Sequence, residues 1–173
     1  MKAIVYTSKA GHTERYARML SKSTGLPVCS LAEARSVLPK GEEIFYMGWV
    51  MAGTISGIRQ AAKWYQVRGV AACGAYAPDP EATRQMRVNC GVAEDVGLFY
   101  LQGGIDYKKL HGLNRWMMLY MGKMMGEKLE AKPQRTAAEE EMLRTLKEGG
   151  DFVMAKNLNE IEDWMKARQA KEL

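Results

Sequence analysis

Five short apolar runs, each broken by a small or turn-forming residue and followed by residues at helical spacing, constrain this chain more than any other feature. The runs are Lys2–Tyr6, Leu26–Cys29, Glu43–Met47, Gly69–Ala75 and Val96–Gln102. Between them the helical segments are Glu14–Lys22, Leu31–Ser36 with Ser30 as its cap, Gly57–Gln66 with Ile58, Ala61, Ala62 and Tyr65 at helical spacing, and Pro80–Asn89. Asn157 opens the last helix with Glu160 three residues on, a capping-box arrangement, and Ile161, Trp164, Met165 and Arg168 follow at helical spacing. Strands that alternate with helices form a parallel sheet covered on both faces, so the expected class is α/β.

The 173 residues, 47% of them hydrophobic, suffice for one domain with a full core. Apolar stretches stop well short of the ~20 residues that span a bilayer, and the N-terminus enters a strand without a cleavable signal pattern, so a cytoplasmic location is expected. Cys29, Cys73 and Cys90 are odd in number and widely spaced, which suits buried reduced thiols better than disulfides or a metal cluster. The net charge of +5 suits an anionic cofactor or an acidic membrane surface. No compact Lys/Arg tract with interleaved aromatics favours nucleic acid. With two histidines and no recurring carboxylate pair, the sequence offers neither metal ligands nor a hydrolytic constellation, and no catalytic side chain is assigned.

In a parallel α/β sheet the ligand sits beyond the carboxyl ends of the strands, where strand order reverses. The first such loop, Ser8-Lys9-Ala10-Gly11-His12-Thr13, is small, hydroxyl-bearing and glycine-containing, and leads into a helix near Thr13. Its backbone N–H groups, the hydroxyls of Ser8 and Thr13 and the positive end of the helix dipole suit an anion. It lacks the Gly-Lys-Ser/Thr ending of a nucleotide-triphosphate loop and the Gly-x-Gly-x-x-Gly of a dinucleotide loop. The loop Gly48–Ser56 places Trp49 at the same edge of the sheet, and the turn after the fourth strand places Tyr76 there. One aromatic in a loop most often packs beneath it; two on separate loops beside an anion turn suit a flat ring with a phosphate tail.

These residues resemble the flavodoxin-like family, in which a Ser/Thr-x-Thr-Gly-x-Thr loop holds the phosphate of FMN and aromatics of the next two loops bracket its ring. Ser8 to Thr13 matches that loop except that Ala10 stands where the middle threonine would be, which removes one hydroxyl and leaves the backbone donors. The resemblance implies a three-layer sandwich with a five-stranded parallel sheet of order 2-1-3-4-5, and FMN as cofactor. Ser8, Lys9, Ala10, Gly11, His12 and Thr13 would meet the phosphate. Trp49 and Tyr76 would flank the ring, with Val50, Met51, Ala52, Gly53, Gly74, Ala75 and Ala77 lining it largely through backbone atoms.

About fifty residues separate the fifth strand from the final helix, a long interruption for a compact α/β unit. Asp106–Met125 reads as a Met-rich apolar helix with a polar stripe near His111 and Arg115, and Thr136–Lys147 as a second helix, acidic then basic. The first has more apolar surface than one core needs. Three coverings are open to it: the second helix, another copy of the chain in a homodimer, or an anionic membrane surface met through 107–125, where Lys108, Lys109, Arg115 and Lys123 accompany Trp116. Ile105-Asp106-Tyr107 with Asn114-Arg115-Trp116-Met117-Met118 is similar to the segment that distinguishes bacterial menaquinone-dependent protoporphyrinogen oxidases. That resemblance implies an FMN enzyme of haem biosynthesis passing electrons from an apolar substrate to a quinone, peripheral at the inner face of the cell membrane. A flavodoxin-type electron carrier with no substrate of its own is the alternative, although such carriers are typically acidic. A vestigial site, with the helix pair as a dimerisation module, is a third.

Overall fold

The computed structural model describes residues 1–109 and 111–171, and within the long inserted helix it leaves aside the side chains of Asn114, Met117, Met118 and Met121. The fold is α/β, with a mostly parallel central sheet and helices around it. Strands β1 (Ala3–Tyr6), β2 (Val28–Ser30), β3 (Glu43–Met51), β5 (Gln66–Gly74) and β6 (Gly97–Gln102) lie in the order β2-β1-β3-β5-β6, all parallel; β4 (Thr54–Ile55) folds back antiparallel on β3. The order reverses at β1, so the chain leaves β1 and β3 on opposite sides of a crevice.

Residue-by-residue alternation in the strands sorts the core into two layers. Ile4, Phe45, Met47, Ala71, Phe99 and Leu101 face α1 (His12–Thr24) and α7 (Asn159–Lys171), where Tyr16, Leu20, Ile161 and Met165 receive them. Val5, Ile44, Tyr46, Val70 and Ala72 face α2 (Leu31–Val37), α3 (Ile58–Trp64) and α4 (Pro80–Cys90), meeting Leu31, Ala34, Ile58, Ala61 and Met86. Trp164 of α7 lies across two adjacent strands at Gly69 and Gly97. A Cβ on either would come within 2.9 Å of its ring, and the ring packs on Phe99 and Phe45 at 5.5 and 6.1 Å between centroids. Small residues in the strands thus make room for the largest side chain of the covering helix. Ser30 caps α2 reciprocally with Glu33, and Asp79 with Pro80 starts α4, as the sequence leads one to expect.

The structure departs from the sequence reading in four places. The third strand runs past Met47 to Met51, and the segment read as a loop to Ser56 is a β-hairpin whose turn residues, Ala52 and Gly53, both have positive φ (49° and 70°). A two-residue hairpin loop of that twist matches the twist of its strands, but Ala-Gly carries none of the usual Asn-Gly signal. Strand β6 stops at Gln102, as the glycine pair after it leads one to expect, but Gly104 then opens a separate ladder that the sequence does not announce, β7 (Gly104–Ile105) paired antiparallel with β8 (Gly150–Asp151). The inserted helix α5 runs Gly112–Glu130 rather than from Asp106, because Asp106 turns the chain: its carboxylate accepts the Lys108 N–H at 3.0 Å and its carbonyl the Lys109 N–H at 3.2 Å. Asn157 does not cap α7. Its side-chain amide donates to the Tyr16 hydroxyl at 2.6 Å and the Phe152 carbonyl at 3.1 Å, and a 3-10 turn, Ala155–Leu158, leads into the helix.

Helix α5 lies against α6 (Ala137–Glu148), which Thr136 and Glu139 cap as a box. Their shared core is the small cluster Leu129, Leu143 and Leu146, with Tyr76, Met125 and Met142 against it. The other face of α5 leaves Leu113, Trp116, Leu119, Tyr120 and Met124 exposed, with Trp116 and Tyr120 stacked at 5.6 Å. Among the described residues no helix is long and apolar enough to cross a membrane.

Candidate functional site

At the carboxyl ends of β1, β3 and β5 a cavity of about 80 Å3, partly open to solvent, lies between the first turn, the β3–β4 hairpin and the start of the insertion. The chain reaches it because β1 ends at Tyr6 and α1 starts at His12, leaving Thr7 to Gly11 to turn at the sheet edge. Gly11, at φ 93°, is the N-terminal residue before α1, and no side chain caps that helix. Its N–H is taken by the Ser8 hydroxyl oxygen at 3.1 Å, which fixes the turn and leaves the hydroxyl proton of Ser8 free to be donated outward. Ser8, Lys9, Ala10, His12 and Thr13 line this end of the cavity. An uncapped helix start beside the Ser8 hydroxyl and a lysine has the character that suits an anion.

The opposite end is apolar. Trp49, Val50 and Met51 of β3 form one wall and Cys73, Gly74 and Ala75 the floor, with Trp49 and Cys73 neighbours in the β3–β5 register. Tyr46 anchors this wall from below. Its hydroxyl donates to the Ser56 carbonyl at 2.7 Å and lies 3.0 Å from the Thr7 hydroxyl, so the first turn and the hairpin are tied together under the cavity. Burial pushes the Tyr46 phenol up to about 12, against the opposing bond to Thr7, and it stays neutral.

The sequence-derived set is partly gathered here and partly not. Ten of its residues line the cavity: Ser8, Lys9, Ala10, His12, Thr13, Trp49, Val50, Met51, Gly74 and Ala75. Gly11 shapes the turn without lining the cavity. Ala52 and Gly53 form the hairpin tip, which is held to α4 instead: Asn89 donates to the Gly53 carbonyl at 3.1 Å and the Ile55 N–H to the Cys90 sulfur at 3.2 Å. Tyr76 packs against the α5–α6 cluster, and Ala77 is exposed. Four lining residues escaped the sequence reading: Cys73, Gly104, Ile105 and Asp106. Gly104 was expected only to stop a strand, whereas Ile105 and Asp106 were singled out for their resemblance to the oxidase segment and not as cavity lining.

Burial opposes charge on two of the ionisable groups that line the cavity, His12 and Cys73. Burial lowers the His12 imidazole below its ordinary 6.5, more than Asp151 raises it, so His12 is neutral at pH 7. Burial likewise pushes the Cys73 thiol up to about 12, against a bond to the Thr13 hydroxyl, so no thiolate is available for attack. Among the described residues no group of three His, Cys, Asp or Glu side chains could hold a metal ion. The lining thus joins a polar turn to an apolar wall, and neither His12 nor Cys73 is poised as a charged reactive group. No protein-family model matches this chain, and a search of the curated proteins finds no match.

Proposed function

We propose that the chain is an FMN-dependent oxidoreductase on a flavodoxin-like frame, of the protoporphyrinogen oxidase type. The observation that carries this reading is one cavity that joins the Ser8–Thr13 turn to the Trp49 wall and the Gly74–Ala75 floor. The donor set suits a phosphate monoester at one end: the Ser8 hydroxyl, the uncapped start of α1 and Lys9. The apolar wall and small-residue floor suit a planar ring at the other. FMN bound there would supply the redox chemistry, which agrees with a cavity whose imidazole and thiol are held neutral by burial. The chain's part is to hold the phosphate, exclude water from one ring face with Trp49, and leave the side toward Ile105 and Asp106 for the redox partner.

The substrate assignment rests on the similarity of Ile105-Asp106-Tyr107 and the following helix to the distinguishing segment of those oxidases. The exposed apolar face of α5 supports an apolar substrate or quinone as the partner. Protein purified without added cofactor should be yellow, or take up FMN with quenching of the flavin fluorescence. Colourless protein that binds no added FMN would end the reading. Anaerobic assay with protoporphyrinogen and a menaquinone analogue should then give turnover above the uncatalysed rate; flavin uptake without turnover would leave an electron carrier.

A further inference from the structure

We propose that Lys109, delivered by the insertion, is a phosphate-binding residue of this site and supplies the contact that Ala10, with no hydroxyl, does not. The proposal rests on the FMN reading above and names the residue that makes the site prefer a phosphorylated ligand to its dephosphorylated form.

The Lys109 ammonium lies beside the first turn, 3.7 Å from where a Cβ on Gly11 would lie, next to the residues that line the cavity rather than among them. It is held there by the turn that begins at Asp106. The Lys109 N–H bonds the Asp106 carbonyl at 3.2 Å, and its ammonium lies 3.6 Å from the Asp106 carboxylate. Asp106 itself lines the cavity, and its charge alone would repel an anion there. Lys109 offsets that charge, and Lys9 leaves the rim net positive. Arg15, also near the start of α1, is engaged by Asp151 at 2.5 Å, closer than Lys109 is by Asp106 at 3.6 Å, and burial lowers the His12 pKa. Among the described residues, Lys9 and the loosely paired Lys109 therefore supply positive charge that a phosphate at this turn would meet.

Because the Lys109 side chain is 61% exposed, water screens its charge, and the effect is a moderate one. The test is titration of the purified full chain with FMN and, separately, with riboflavin, read by flavin fluorescence. Lys109→Ala should raise the Kd for FMN about tenfold and leave that for riboflavin unchanged. Lys109→Glu should weaken FMN further, and Lys109→Arg should restore it. The difference between wild type and Lys109→Ala should shrink as salt is raised. Equal FMN affinity in wild type and Lys109→Ala, or an equal loss for both flavins, would overturn the proposal while leaving the FMN reading intact. Wild-type protein that binds neither flavin would overturn both.

Discussion

The sheet and the inserted helix pair are held together by different physics. In the sheet, Ile4, Leu20, Phe45, Tyr46 and Val70 are fully buried, and Trp164 closes over two glycines on adjacent strands. In the helix pair, Leu129, Leu143 and Leu146 keep 7–8% of their surface, and polar devices surround them: the Thr136–Glu139 box and ion pairs of Glu130 with Lys147 and Glu140 with Arg135. Exposed ion pairs contribute little, about 0–1 kcal/mol each. The helix pair therefore has the looser core and presents the exposed apolar face of α5, while the cavity is bordered by Gly104, Ile105 and Asp106, which lead into it.

The same truncation made in both regions is the strongest way to break that contrast. Leu20→Ala empties a fully buried position under the sheet and should cost about 3–4 kcal/mol in a global urea transition, whereas Leu146→Ala should cost about 2 kcal/mol. The second loss should appear first as faster amide exchange in α5 and α6 with the strands still protected. Equal losses in a single shared transition would show one cooperative unit. Thr136→Ala, which removes the α6 cap, should cost about 1 kcal/mol and again loosen α6 before the sheet.

Acid sharpens the contrast at smaller amplitude. The folded His12 pKa lies below 6.5 through burial, so between that value and 6.5 the unfolded chain binds a proton the folded chain does not. Stability at the α1 end of the sheet should fall as pH drops from about 6.5, and His12→Gln should flatten that slope. In the insertion the charged partner Lys132 holds Glu139, and Lys147 holds Glu130, below their ordinary 4.5. Their contribution is complete above 4.5 and is lost only as pH falls through the lower folded values. Amide exchange at pH 7.5, 5.5 and 4 should thus show α1 loosening before α6; the reverse order would contradict the burial assigned to His12.

The alternation of strands and helices was legible because buried parallel strands read as apolar runs and because Ser30, Asp79-Pro80 and Thr136 announce helix starts locally. The hairpin at Ala52-Gly53 was not, since an alanine in a left-handed conformation gives no turn signal. Asn157 looked like a cap because its neighbours fit one, while its partners Tyr16 and Phe152 are set by tertiary packing. At the site, residues contiguous with the first turn and β3 were readable from position alone. Gly104, Ile105 and Asp106 were not, because they reach the cavity only once β7 pairs with β8. Tyr76 stood in the expected turn, but the insertion offers it a closer apolar surface.

That small ladder has a further consequence. Gly104 lies opposite Asp151 and Ile105 opposite Gly150, and the Phe152 N–H bonds the Gly103 carbonyl at 2.9 Å. The excursion leaves and rejoins the trunk at one spot, like a branch on a short stem. The stem also forms one wall of the cavity, and Gln102, which donates to Glu141 at 3.0 Å, and Tyr76, which packs on the α5–α6 cluster, brace the branch against the trunk, so a change in the branch is felt at the cavity rim.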